Sequence, residues 1–211
     1  MHPIAFQLGK LTVHWYGVFL AQMGRFNEAA AEMARARSLD PLSVFVHISA
    51  GWVLYLSRHD DEAISEWKKA LDLEPHLGVA HTSIWLAYAR KGHDDVAPPV
   101  SEVAGETSPL NLATLAGVYA MSGQRAAAEG VLARLTAIAE HRYVCPYEIA
   151  SAHAALQHDD EAIRWLRRGV EDRSSCMPDL KVDPRFDRLR RDPRFVQLLK
   201  DIGFAPASAL P

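Results

Sequence analysis

Three His-Asp-Asp triplets, at His59, His93 and His158, are the groups in this chain best suited by type to chemistry. Imidazole and carboxylate side chains ligate metals and move protons. Each triplet stands where one apolar helical stretch gives way to the next. The acids therefore fall at a helix start, where capping oxygens and negative charge are favoured. Copies one repeat apart are too distant to share an ion, so capping is expected, with no metal and no cofactor. His47 and His81 share one position in successive repeats and read as packing residues with a polar handle. No Gly-x-Ser-x-Gly elbow, phosphate loop or His-Glu-x-x-His motif occurs. No catalytic residue is assigned, and the chain reads as a non-enzyme. Cys145 and Cys176 read as two inert, partly buried thiols; an antiparallel last hairpin keeps a bridge between them geometrically open.

The bulk properties agree with a binding role better than with a nucleic-acid or membrane one. The 211 residues carry a net charge of −3, with 49% hydrophobic and 23% charged residues. That balance gives no attraction to phosphate backbones or acidic lipid, so neither nucleic acid nor membrane insertion is expected. From Arg164 to Lys200 there are 11 basic and 6 acidic residues, a local excess that reads as a solvated face. Leu11 to Gly24 is uncharged but too short to span a bilayer. A cytoplasmic location is expected, with a periplasmic one as the alternative.

The elements that position these residues repeat. Turn-like hexamers begin at Gly24, Arg58, Gly92, Gly123 and Gln157, at intervals of 34, 34, 31 and 34 residues. Pro41, Pro75 and Pro109 keep the same 34-residue step. Residues 44–77 carry Ala50, Gly51, Leu54, Ala63, Trp67 and Pro75 at a spacing that resembles the tetratricopeptide repeat pattern. In such a hairpin small residues let two helices touch, a bulky ring fills the gap, and proline ends the second helix. The resemblance implies an all-α right-handed superhelix of about five hairpins, over 10–43, 44–77, 78–108, 109–142 and 143–176. Residues 1–9 read as an arm. In the third repeat Pro98-Pro99 predicts a second helix that starts late and stays short, with Trp85 filling the vacated space.

Residues 177–203 break the repeat. Asp183-Pro184-Arg185-Phe186 and Asp192-Pro193-Arg194-Phe195 each read as an Asp-capped helix start. The second opens an amphipathic helix that should cap the fifth hairpin, and 204–211 form a tail. Together with Trp15-Tyr16 and Tyr143–Ala150, this ending resembles the carboxy-terminal repeat region of bacterial multidomain regulators. Those include CadC-type winged-helix activators, kinases and adenylate cyclases. The resemblance implies a sensory or scaffolding segment acting for a separate effector domain. Residues 2–21 also resemble the amino terminus of prolipoprotein diacylglyceryl transferase, but the likeness ends at Ala21 and implies no activity.

By resemblance to the repeat family, ligands lie along one side of each first helix. That side carries His14, Val18 and Gln22; then Phe45, Ile48, Trp52, Tyr55 and Leu56; then Thr82, Leu86 and Arg90. The Lys and Asn of a carboxylate clamp are missing, so an acidic tail is a poor ligand. An apolar peptide or amphipathic helix is the expected protein partner, with self-association or cover by the arm as alternatives.

Overall fold

Five chain reversals share one geometry and set the architecture. The computed structural model describes residues 11–103 and 105–204. The expected arm, all of the tail but Phe204 and the side chain of His14 lie outside the described residues. At each reversal one residue enters the left-handed region: Gly24 (φ 80°), Arg58 (70°), Gly92 (82°), Gly123 (73°) and Gln157 (63°). The next residue's N–H then donates to the carbonyl five residues back, as from Arg25 to Leu20 and from His59 to Leu54. This is the Schellman closure, which satisfies helix-end carbonyls and reverses the chain. Arg58 and Gln157 adopt it despite a side chain that disfavours it.

The helices are α1 (Leu11–Gln22), α2 (Phe26–Leu39), α3 (Val44–Leu56), α4 (Asp60–Leu73) and α5 (Gly78–Arg90), and the left-handed turn joins α1 to α2 and α3 to α4. They continue with α6 (Pro109–Met121), α7 (Arg125–His141), α8 (Pro146–Ala155), α9 (Asp159–Glu171) and α10 (Pro193–Asp201). No strand occurs among the described residues. The chain forms two compact units, 1–81 and 82–211. In the first, α1 pairs with α2 and α3 with α4. The seam of the second pair is Gly51 against Trp67: a Cβ at Gly51 would overlap the indole, whose Nε1 donates to the Ile48 carbonyl at 3.3 Å. Ala50, Ala63 and Ala70 are fully buried beside it.

The His-Asp-Asp triplets occupy the turns but do not cap as expected. His59, His93 and His158 themselves hold the cap position, and none makes a side-chain capping bond. The acids lie one and two residues later, inside the first turn, where their charge meets the positive helix end. His47 and His81 act as expected for packing residues. Each donates from Nε2 to a carbonyl six residues back, Pro41 at 2.9 Å and Pro75 at 2.8 Å, fastening a first helix to the loop before it.

In the second unit the third repeat has no second α-helix among the described residues. A 3-10 turn covers Asp94–Val96, and the chain runs on to Pro109 without the short late helix that Pro98-Pro99 suggested. Two adjacent prolines remove two backbone donors, and side chains take over the fastening. Tyr119 donates to the Pro98 carbonyl at 2.8 Å, and Arg134 reaches the carbonyls of Val103 and Glu106. Trp85 is only partly buried, packed on the cluster that contains Val103 and Leu112.

The pairs α6–α7 and α8–α9 follow, and residues 177–203 close over α8 and α9. Phe186 and Phe195, both fully buried, join Ile163, Leu166, Leu198 and Leu199 in one apolar cluster. Asp183 and Asp192 cap as their motif suggests, accepting from the N–H of Arg185 at 2.9 Å and of Arg194 at 2.8 Å. The first block forms a 3-10 helix, Pro184–Arg191, and the second opens α10.

The two cysteines are not free thiols, which corrects that expectation. Cys145, just before α8, is bridged to Cys176, with Cα atoms 6.4 Å apart and a sequence separation of 31. Closing a loop of that length restricts the unfolded chain by about 3–4 kcal/mol on the entropy model. Replacing both cysteines by serine should therefore lower the unfolding free energy by about 3–4 kcal/mol in urea, with a steeper slope because the unbridged unfolded chain is less compact. Two thiols titrating in the unreduced, unfolded protein would contradict the bridge.

Candidate interaction surface

Helix α3, VFVHISAGWVLYL, is apolar on every side, so its neighbours decide which side chains reach water. Phe45 is 75% exposed, at the first turn. Ile48 and Trp52 are partly exposed, while Tyr55 and Leu56 are buried at 1% and 0%. The Trp52 ring stacks on Tyr55 at 5.2 Å, and Tyr55 in turn meets Trp67 at 6.1 Å. The stripe expected to line a groove thus runs from surface into core. Only its amino-terminal part is available to a ligand, and Trp52 lies at the border.

The same correction applies further on. Thr82 and Leu86, expected on the ligand side of α5, are buried at 3% and 1%, because α6 supplies cover. Thr82 Oγ1 donates to Asn111 Oδ1 at 3.4 Å, and Leu86 faces Gly117, whose missing side chain makes room. Arg90 is half-buried, as are Val18 and Gln22 in the first unit.

Apolar surface that the ligand-side reading did not include lies in the first unit. Trp15 and Phe19 on α1 and Met23 just after it are exposed at 65%, 54% and 41%, a spacing of four that places them on one stripe. At the α2–α3 junction Leu39 and Leu42 are also exposed, next to Phe45 of the expected ligand side. A signal for the α1 stripe was present in the aromatic pair Trp15-Tyr16 and Phe19. Which stripe of α1 stays uncovered depends on how α2 and α3 pack.

Charge in this unit is organised internally. Glu66, 5% exposed, receives His47 Nδ1 at 2.9 Å, Arg37 at 3.0 Å and Lys69 at 2.9 Å. Burial pushes its carboxyl up, but the bonds from His47 and Lys69 and the charge of Arg37 outweigh this and hold it below the usual range. In the second unit, a groove of about 460 Å³ is lined by Ile163, Arg164, Arg167 and Arg194. Arg164 pairs with Glu161, and Arg194 with Asp160 and Asp192, so much of its positive charge is already neutralised. The excess of arginine between 164 and 200 thus builds internal pairs as well as surface.

No helix among the described residues is long and apolar enough to cross a membrane. No protein-family model matches the chain, and no curated protein matches it in sequence. Among solved structures, one of Naa15/Naa10 bound to HypK-THB is similar, at 18% identity and a TM-score of 0.38, over 90% of this chain. The match covers 31% of that structure's chain, so this chain spans about a third of its length. The helices, the repeated left-handed turn and the small-residue seams are those of an all-α, tetratricopeptide-like repeat fold.

Proposed function

We propose that this chain is a non-catalytic protein-interaction scaffold that holds an apolar peptide or amphipathic helix on its first unit. One observation carries the reading: Phe45, Phe19 and Leu42 stand 75%, 54% and 74% exposed within a single small unit. Large exposed apolar patches mark interaction sites, and aromatic anchors dominate their energy. Among the described residues of the second unit the exposed aromatic is Tyr143, whose hydroxyl already bonds Ser174 at 2.6 Å.

Phe45 is a better probe than Trp52, whose ring supports Tyr55. A displayed random-peptide library panned against the protein should enrich apolar, helix-compatible sequences, and their binding should change little between low and high salt. Enrichment of acidic sequences, or binding abolished by salt, would refute the apolar surface. If Phe45→Ala instead dissolves an oligomer, the occupant is a second copy of this chain.

A second reading follows from the stretches that resemble bacterial multidomain regulators. In it the unit senses a ligand for an effector domain. The Cys145–Cys176 bridge favours an oxidising compartment, hence a periplasmic or other extracytoplasmic site of action over a cytoplasmic one.

A further inference from the structure

Under the carboxy-terminal cap lies a group of ionisable side chains whose charges do not balance. Asp183 is fully buried, and its Oδ2 accepts from Arg185 Nη2 at 2.7 Å and from the Tyr147 hydroxyl. Arg185 extends across the Tyr147 ring, 5.3 Å from its centre, to reach Ser151 Oγ at 3.2 Å. Its guanidinium thereby bridges the cap to α8. Glu148 stands beside this bridge, its side chain 14% exposed, with Oε2 3.7 Å from Arg185 Nη1 and no hydrogen bond at that atom. One arginine thus serves two carboxylates, and Asp183 has its best bonds.

We propose that Glu148 is a pH-sensitive latch: uncharged, it lets residues 177–203 seat on α8 and α9, and once ionised it loosens that seat. The physical reason is that a carboxylate buried without a hydrogen bond at one oxygen, and beside two other acids, is costly. Burial first, and then the charges of Asp183 and Asp179, push the Glu148 carboxyl up to about 7, against the opposing pull of Arg185. On α8 itself His153 lies five residues on, its imidazole held below the usual range chiefly by burial. The cap adds Asp179 and Arg190, the latter tied to the Lys181 and Asp183 carbonyls. The remaining elements bring little charge to α8. Helix α6 has no charged residue, Glu140 and His141 at the end of α7 are exposed, and Arg168 and Asp172 beside α9's last turn pair with each other at 3.6 Å. On α10, Arg194 and Lys200 are exposed.

The sign follows from proton linkage. With the cap closed the carboxyl titrates at about 7, and with the cap open it returns towards 4.5. Between those values the closed form holds a proton that the open form has lost, so closing weakens as pH rises and levels off above 7. From pH 5 to pH 8 the opening equilibrium should shift about seventyfold towards open. Opening bares Tyr147, Ile163 and Leu166, an apolar face that the cap otherwise covers.

Hydrogen exchange on the full chain, corrected for intrinsic rates, tests this. Amides of residues 183–199 should lose protection on going from pH 5 to pH 8 by tens of fold, while those of α3 and α4 do not. In Glu148→Gln that pH dependence should vanish. The same loss of protection in Glu148→Gln, or none in the wild type, overturns the latch. Should Glu148→Gln fail to fold, the Glu148 side-chain carbon resonance of the wild type decides: a midpoint near 7 supports the latch, and one near 4.5 refutes it.

Discussion

Trp67→Ala is expected to cost about 3–5 kcal/mol, the range for truncating a fully buried indole. Trp67 is 1% exposed and fills the seam between α3 and α4. Its ring lies where a Cβ on Gly51 would stand. Gly51→Ala should therefore be costly for the opposite reason, by about 1–3 kcal/mol of overpacking, although alanine is the better helix former. The two sites touch, so their effects should not add. Gly51→Ala placed on Trp67→Ala should cost less than on the wild type, because the cavity accepts the methyl group. Equilibrium urea unfolding of the four proteins measures this directly. Additive losses would show that the ring and the glycine do not share the seam.

Removing the cap should have a still larger effect. Truncation after Ser174 deletes Phe186, Phe195, Leu198 and Leu199, leaving Tyr147, Ile163 and Leu166 without cover. It also removes Cys176 and with it the bridge to Cys145. Phe186→Ala alone should cost about 3–5 kcal/mol. Losing the whole layer exceeds the margin of an ordinary domain, about 5–15 kcal/mol. The truncated chain should aggregate or unfold without a cooperative transition. A soluble product melting at the wild-type temperature would contradict the packing.

The turn phase was legible because it rests on backbone chemistry. Gly24, Gly92 and Gly123 mark left-handed turns by type, and Arg58 and Gln157 fall into phase by spacing. The seam residues Gly51 and Trp67 were legible for the same reason, since size at a fixed position decides contact. The candidate surface was less so. Helix α3 is apolar all round, and nothing in its own residues separates exposed Phe45 from buried Leu56. That division depends on α1, α2 and α4. The paired Asp-Pro-Arg-Phe blocks make the point sharply. Their sequences match, yet the Asp183 and Arg185 side chains are 0% and 7% exposed, while those of Asp192 and Arg194 are 20% and 44%. Burial, which gives the first block its buried ion pair, came from tertiary packing that neither block encodes. The antiparallel hairpin only left a Cys145–Cys176 bridge geometrically open, and two free thiols were expected, because pairing needs the side chains to face each other.

The most direct test of the scaffold reading is the affinity of one library-selected apolar peptide for wild type and for Phe45→Ala, measured by fluorescence anisotropy. Phe45 is 75% exposed, so its removal should leave the melting temperature within a degree or two, as for a surface substitution. Loss of an aromatic anchor should weaken binding at least about tenfold, or 1.4 kcal/mol. Unchanged affinity in a Phe45→Ala protein that melts normally would place the peptide elsewhere and contradict the account.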